Sequence, residues 1–436
     1  MSQKEINFNL PRNIKTSISS VIINIFLAFI TYRLVISFHG IELVGVWSIL
    51  VAVSSLVNIA NLGMGVAIIR YVSSMNLKLE KAKARIFIET GIIFNFIWHG
   101  ILTFIAFFII NYFLRDLVPS EFYIQALAAL PILMFSNFMS SMTFTLISSL
   151  QSIHKGFIGF NISILGAVIE IILALIFIPK IGIFGFALSQ AIRYLMSLIL
   201  CWIYLNSCMD HRSFVPTKFS FETFKIMFGY SIKVQASGIL NALFEPFTKL
   251  TLSQYGDIKA QGFFELAYKT VSLTRNIVVA GLLASIPALT NLFNSSLNEA
   301  KKFYLKAQFK LFTYLTTILI LVALVSPLIS IVWIGNLSHE YILLVIIFVI
   351  GYWVNTIAAN AYNLGFASGI MKYNLICSFM LLFNFFVIFL FLKNLELSAS
   401  LVIALSANIS LIISGIYIKT CNEKKILNNK YDSYGI

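Results

Sequence analysis

Ile18–Phe38, ISSVIINIFLAFITYRLVISF, is a helix-length apolar run, and the fold class follows from it. A helix crossing the hydrocarbon core of a bilayer needs about 20 predominantly apolar residues. Inside lipid only helices and closed barrels satisfy their own backbone hydrogen bonds. The segment ahead of the run carries Lys4, Arg12 and Lys15, like the charged start of a signal peptide. The run is too long for that and no small-residue cleavage site follows, so it is read as a retained first helix. The same texture fills the chain: of 436 residues, 59% are hydrophobic and 11% charged, and the mean hydropathy is +0.91. Soluble domains carry about 25% charged residues. The chain is therefore expected to be an all-α integral membrane protein. Twelve transmembrane helices are placed near 14–38, 43–70, 86–113, 123–149, 158–178, 183–206, 223–250, 263–293, 306–334, 340–368, 373–392 and 397–418.

The formal charge of +14 is explained by orientation. With the N-terminus in the cytoplasm, inward segments hold twenty lysines and arginines, whereas outward ones hold only Arg115, Lys180, Lys259 and Lys393. That is a positive-inside bias, and it requires no nucleic acid. Cys201, Cys208, Cys377 and Cys421 are read as packing residues, since no two have metal-ligand or redox spacing. The five histidines are scattered, so no metal site, cofactor or catalytic centre is expected. No phosphate-binding glycine loop is present either. Energy must come from a gradient or the membrane potential, not from ATP on this chain.

The longest polar interruption, around Asp210, His211, Arg212, Pro216 and Lys218, divides the chain into lobes of six helices, 1–210 and 211–436. An internal repeat supports the division. Arg33 precedes Gly40 by seven residues, as Lys249 precedes Gly256; Gly45-Val46-Trp47 has a counterpart in Gly262-Phe263-Phe264. Lys155 maps to Lys372, and Ala187-Leu188-Ser189 to Ala404-Leu405-Ser406. Lobes with an even number of spans start on the same side, so they are related about the membrane normal. Pro131, Pro246, Pro287 and Pro327 fall within spans, where each removes a backbone donor and can bend a helix.

Charges inside spans are the functional signal, because each costs about 2.5–3.5 kcal/mol at the bilayer centre on insertion scales. Glu245 and Lys249 are four apart and share a face of the seventh span, as Glu265 and Lys269 do on the eighth. Lys233 and Arg275 are surplus cations beside them. Each acid–base pair either neutralises itself or belongs to a polar cavity. The first half adds Arg33, Arg70, Glu89, Glu170 and Arg193. Arg70 and Glu89 are expected to snorkel to water. Glu170 is protonated, paired with Arg193, or a proton-coupling site. Arg33, Arg193, Lys233, Lys249, Lys269 and Arg275 outnumber Glu170, Glu245 and Glu265, which suits an anionic guest such as a pyrophosphate or acidic sugar. Tyr32, Tyr230, Phe244, Tyr268, Tyr352 and Trp353 are candidates to stack on sugar rings.

FEPFTK at Phe244–Lys249, SQYG at Ser253–Gly256 and GFFELA at Gly262–Ala267 resemble the oligosaccharide flippases of bacterial polysaccharide assembly. So do the stretch from Arg275 to Pro287 and NLGMG at Asn61–Gly65 followed by Ile69-Arg70-Tyr71. These belong to the multidrug/oligosaccharidyl-lipid/polysaccharide (MOP) exporter superfamily. The resemblance implies a MATE-like pair of six-helix lobes around a central cavity. It implies a non-enzymatic flippase moving polyprenyl-pyrophosphate-linked oligosaccharide from the inner to the outer leaflet of the bacterial cytoplasmic membrane, for O-antigen, lipopolysaccharide or capsule assembly. Both termini would be cytoplasmic, and membrane lipids and polysaccharide polymerase or assembly proteins would be partners. The substrate-binding candidates are Arg33, Arg70, Lys233, Glu245, Lys249, Glu265, Lys269 and Arg275; the ion-coupling candidates are Glu170 and Glu245. The family often has an acid where this chain has Asn61. Two rivals remain: an ion-coupled small-molecule exporter on the same scaffold, and a membrane polymerase or ligase, which usually carries a large outward loop.

Overall fold

A computed structural model describes residues 3–424 apart from 60–62, 74, 76, 78, 210–212, 284–288, 290–295, 369 and 371. Among the described residues the regular structure is helical, in thirteen helices. They are α1 Gln3–His39, α2 Ile41–Ile59, α3 Met64–Ser73, α4 Lys81–Leu117, α5 Tyr123–Ser152, α6 Gly156–Cys208, α7 Phe221–Tyr255, α8 Ile258–Leu283, α9 Leu297–Ile334, α10 His339–Ile357, α11 Ala359–Ser368, α12 Lys372–Leu392 and α13 Ala399–Asn422. Among the described residues eight segments are long and apolar enough to cross a membrane. One of these, α6, is two helices: after Pro179 the backbone leaves helical geometry at Ile181 and at Gly182 (φ 59°, ψ −136°). That conformation is open essentially only to glycine. Counting α6 twice makes nine such spans among the described residues, with α10–α11 as one of them, and α2–α3, α7 and α8 occupy the places of the other three expected crossings.

Three expected spans are corrected. The second is broken between α2 and α3, with Gly63 at φ 67°, so Arg70 sits on a short separate helix. The tenth divides at Ala358 without proline or glycine. There the Gln308 side chain, from α9, donates to the Ile357 carbonyl at 3.0 Å, inserting into the helical ladder. The eighth begins earlier, at Ile258, where Asp257 Oδ1 accepts from the Ala260 N–H at 2.6 Å. Its expected far end, with Pro287, lies partly outside the described residues, as do Asn61 and Leu62 of the second-span motif.

The repeat runs through the helix starts. Lys81 and Leu297, Tyr123 and His339, and Gly156 and Lys372 open corresponding helices in one register of 216 residues. Gly182, at the kink of α6, precedes Ile183, which is matched by Ala399 at the start of α13. One residue out of that register, at the offset of 217 that Lys155 and Lys372 also have, Ser189 and Ser406 make the same bond, each hydroxyl donating to the carbonyl four residues back.

The chain forms two compact units: residues 1–239 with 245–254, and residues 240–244 with 255–436, so α7 contributes to both. In the first unit α6 packs against α1 and α5, and α3 against α4 and α5. Met64, Ile68, Ile88, Leu146, Leu150 and Cys201 form its apolar core at one end. In the second unit α10 packs against α8, α9 and α13, and α12 against α13. Gly351 and Gly415 allow the α10–α13 approach: a Cβ on Gly351 would meet Asn408 Cα at 3.1 Å, and one on Gly415 the Asn355 Cα at 3.1 Å. Small residues at crossings are the membrane solution for close backbone packing.

Candidate functional site

Each charged candidate falls on a helix, and the structure sorts them by partner. On α7 the Lys249 ammonium donates to Glu245 Oε1 at 2.6 Å; the lysine is fully buried and the glutamate side chain about a third exposed (34%). The pair thus meets its surroundings through the carboxylate, and Lys249 does not offer an open cation. Lys233 lies on the same helix, and its side chain is outside the described residues.

On α8 the pairing is looser and its sense reversed. Glu265 is wholly buried, while Lys269, 3.8 Å away, is 23% exposed. The Lys269 ammonium lies 5.9 Å from the Tyr268 ring centre. Tyr268 in turn stands edge-on to Tyr352 of α10, with centroids 6.1 Å apart. Arg275 completes this face: its Nε donates to Thr356 Oγ1 at 3.1 Å, and its guanidinium lies 5.7 Å from the Tyr352 ring. Among the described residues Arg275 has no carboxylate partner. Within the second unit, then, Lys269 and Arg275 flank two tyrosines on one α8–α10 face. Cations beside aromatic rings can hold an anionic sugar, by charge-assisted hydrogen bonds and by stacking. Thr356 was not legible in the sequence, because a single threonine in a membrane helix carries no signal.

In the first unit Arg70 is exposed, as expected, with its guanidinium 4.1 Å from the Tyr230 ring. Arg33 is half-buried on α1. Glu170 is paired with Arg193. Arg193 Nη1 donates to Glu170 Oε2 at 2.7 Å and its Nη2 to Asn24 Oδ1 at 2.7 Å, with both charged side chains buried. Asn24, on α1, was missed.

Glu89 corrects another expectation. Its side chain does not reach water, the residue being 2% exposed. One oxygen accepts from the backbone N–H groups of Thr217 (2.8 Å) and Lys218 (2.6 Å), and the other from Arg85 Nε. It anchors the connection between α6 and α7.

The family described as "Polysaccharide biosynthesis protein" matches residues 10–293, well over half the chain. The chain belongs to this family. Comparison with curated proteins finds no match. Among solved structures, it is similar to an inward-facing multidrug-resistance MATE family transporter of the MOP superfamily (TM-score 0.80, 14% identity, 92% of this chain and 94% of that one). An outward-facing structure of such a transporter gives a TM-score of 0.70 at 15% identity, over 96% and 95%. A third is a MOP-superfamily transporter from Pyrococcus furiosus Vc1 (DSM3638), described as having a binding pocket whose reverse polarity suggests different function (TM-score 0.74, 13% identity, 97% and 96%). This member of the polysaccharide biosynthesis family is a multi-pass membrane protein with the fold of a MOP exporter.

Proposed function

We propose that the chain is a flippase that carries polyprenyl-pyrophosphate-linked oligosaccharide across the bacterial cytoplasmic membrane by alternating access, supplying surface polysaccharide assembly. The observation that carries this is the α8–α10 face, where Lys269 and Arg275 border Tyr268 and Tyr352. A pyrophosphate takes charge-assisted hydrogen bonds from such cations, and a sugar ring stacks on tyrosine. The family assignment favours glycan as the cargo. In this reading both termini are cytoplasmic, the lobes are 1–210 and 211–436, and the chain carries out no covalent chemistry.

The test is complementation of a strain lacking the gene. Lys269→Met and Arg275→Met should each insert normally and reduce surface glycan, and the double variant should abolish it. Losing one charge-assisted bond corresponds to about 1.5–3 kcal/mol, or roughly ten- to hundredfold in affinity. Wild-type glycan levels from the double variant would refute the assignment. The second reading, an ion-coupled small-molecule exporter, draws on the likeness to multidrug MATE structures. It requires that deletion raise drug accumulation while leaving surface glycan intact.

A further inference from the structure

The first unit carries a feature that the charged face does not use. An apolar cavity of about 500 Å³ lies between α4, α5 and the second half of α6, lined by Ile92, Phe96, Met142, Leu198 and Trp202 among others. A second, of about 380 Å³, continues between α4 and α5 through Gly100, Thr103, Phe107, Pro131 and Phe135. Phe138 lines both. Together they follow α4 from Ile92 to Phe107, which at a rise of 1.5 Å per residue is about 22 Å. One leaflet supplies only about 15 Å of a hydrocarbon core about 30 Å thick.

One end is covered by a strap, residues 213–220, pinned on both sides. The Ser213 carbonyl accepts from Trp202 Nε1 at 3.0 Å and Asn206 Nδ2 at 2.8 Å. Glu89 accepts from the Thr217 and Lys218 N–H groups, and Thr90 Oγ1 from that of Ser220 at 3.1 Å. Between the pins Phe214 is fully exposed and Val215 61% exposed, yet both line the cavity with Pro216. Lys218 is exposed two residues beyond, so the strap's end of the furrow carries a cation at its rim.

We infer that this furrow binds the isoprenoid tail of a polyprenyl phosphate, with the phosphate at the strap and the tail running past the bilayer midplane. The inference rests on the flippase reading for the origin of the lipid, but the site is separate from the α8–α10 face. Length selects the occupant. An ordinary acyl chain stays within its leaflet and fills one cavity, whereas a long polyprenyl chain continues into the second. The exposed Lys218 complements the phosphate.

The purified full-length protein, in vesicles of phosphatidylethanolamine and phosphatidylglycerol, is labelled with a photoreactive long-chain polyprenyl monophosphate. The labelled peptides are then mapped by mass spectrometry. Peptides of α4 and α5 should carry the label. Unlabelled long-chain polyprenyl monophosphate should compete, and farnesyl monophosphate should not. Gly100→Leu should weaken retention about tenfold, as expected for displacing two buried methylenes. A Cβ on Gly100 meets only the Phe138 ring, at 3.8 Å, so the substitution fills the furrow without pressing on backbone. Equal competition by farnesyl monophosphate or by added phosphatidylglycerol would overturn the inference, and this comparison needs no variant. So would unchanged retention in a folded Gly100→Leu protein. Glycan export without furrow labelling would overturn this site and leave the flippase reading standing. Furrow labelling in a protein whose deletion spares surface glycan upholds the site and removes the transport role.

Discussion

Arg193 spends both terminal nitrogens, one on the buried Glu170 and one on the half-buried Asn24. Taking both charges out of water is costly, and removing one partner strands the other. Glu170→Gln should therefore destabilise the protein by about 3–5 kcal/mol, seen as a lower midpoint of thermal unfolding in detergent. The double variant Glu170→Gln with Arg193→Met should recover much of that loss, because no charge is left alone. If Glu170 instead serves coupling, the double variant will regain stability without regaining transport. The sequence left Glu170 protonated, paired with Arg193 or coupling a proton, so the pairing was one of three readings. Asn24 could not be found, because its role depends on how α1 packs against α6. The fully buried Lys249 teaches the opposite lesson: four-residue spacing predicted its bond to Glu245, but not which member of the pair would face outward.

Two connections between helices show where sequence patterning stops. The strap at 213–220 looks like an ordinary polar linker, yet it is fixed by Glu89, a carboxylate with three donors. Glu89→Ala leaves those backbone N–H groups without their acceptor. Limited proteolysis should then cut after Lys218 at least several-fold faster, while the wild-type strap resists. The division between α10 and α11 was likewise invisible, because it depends on Gln308 reaching across from α9. Where glycine permits close approach, by contrast, the consequence is direct. Gly351→Val places branched carbon against Asn408 Cα, and overpacking of this kind costs about 1–3 kcal/mol. A lowered unfolding midpoint would register it; an unchanged one would mean that α10 and α13 separate without penalty.

Twelve crossings and the positive-inside count were legible from hydropathy and charge alone, because both depend on transfer energies that are local to each segment. They make an orientation prediction. A cysteine at Asp116, in the last turn of α4, should react with an impermeant maleimide added to intact cells or spheroplasts. One at Lys302, near the start of α9, should react only after the membrane is opened. The reverse pattern would invert the assigned topology. The α8–α10 face was half legible: Glu265, Lys269, Arg275, Tyr268 and Tyr352 were all named, but their grouping required α10 to pack on α8. Nothing in either helix's own periodicity announces that contact.

The 216-residue register also carries a biosynthetic consequence. Phe386, open at the surface, lies 216 residues after the buried Glu170, so the duplicated scaffold has diverged at a position where one copy is greasy and the other salted. Six passes return a polypeptide to the face from which it set out. Severed between α6 and α7, the two pieces would each retain whole helices, and co-expressed as separate genes they should thread into the bilayer in the same sense without any reversal of either.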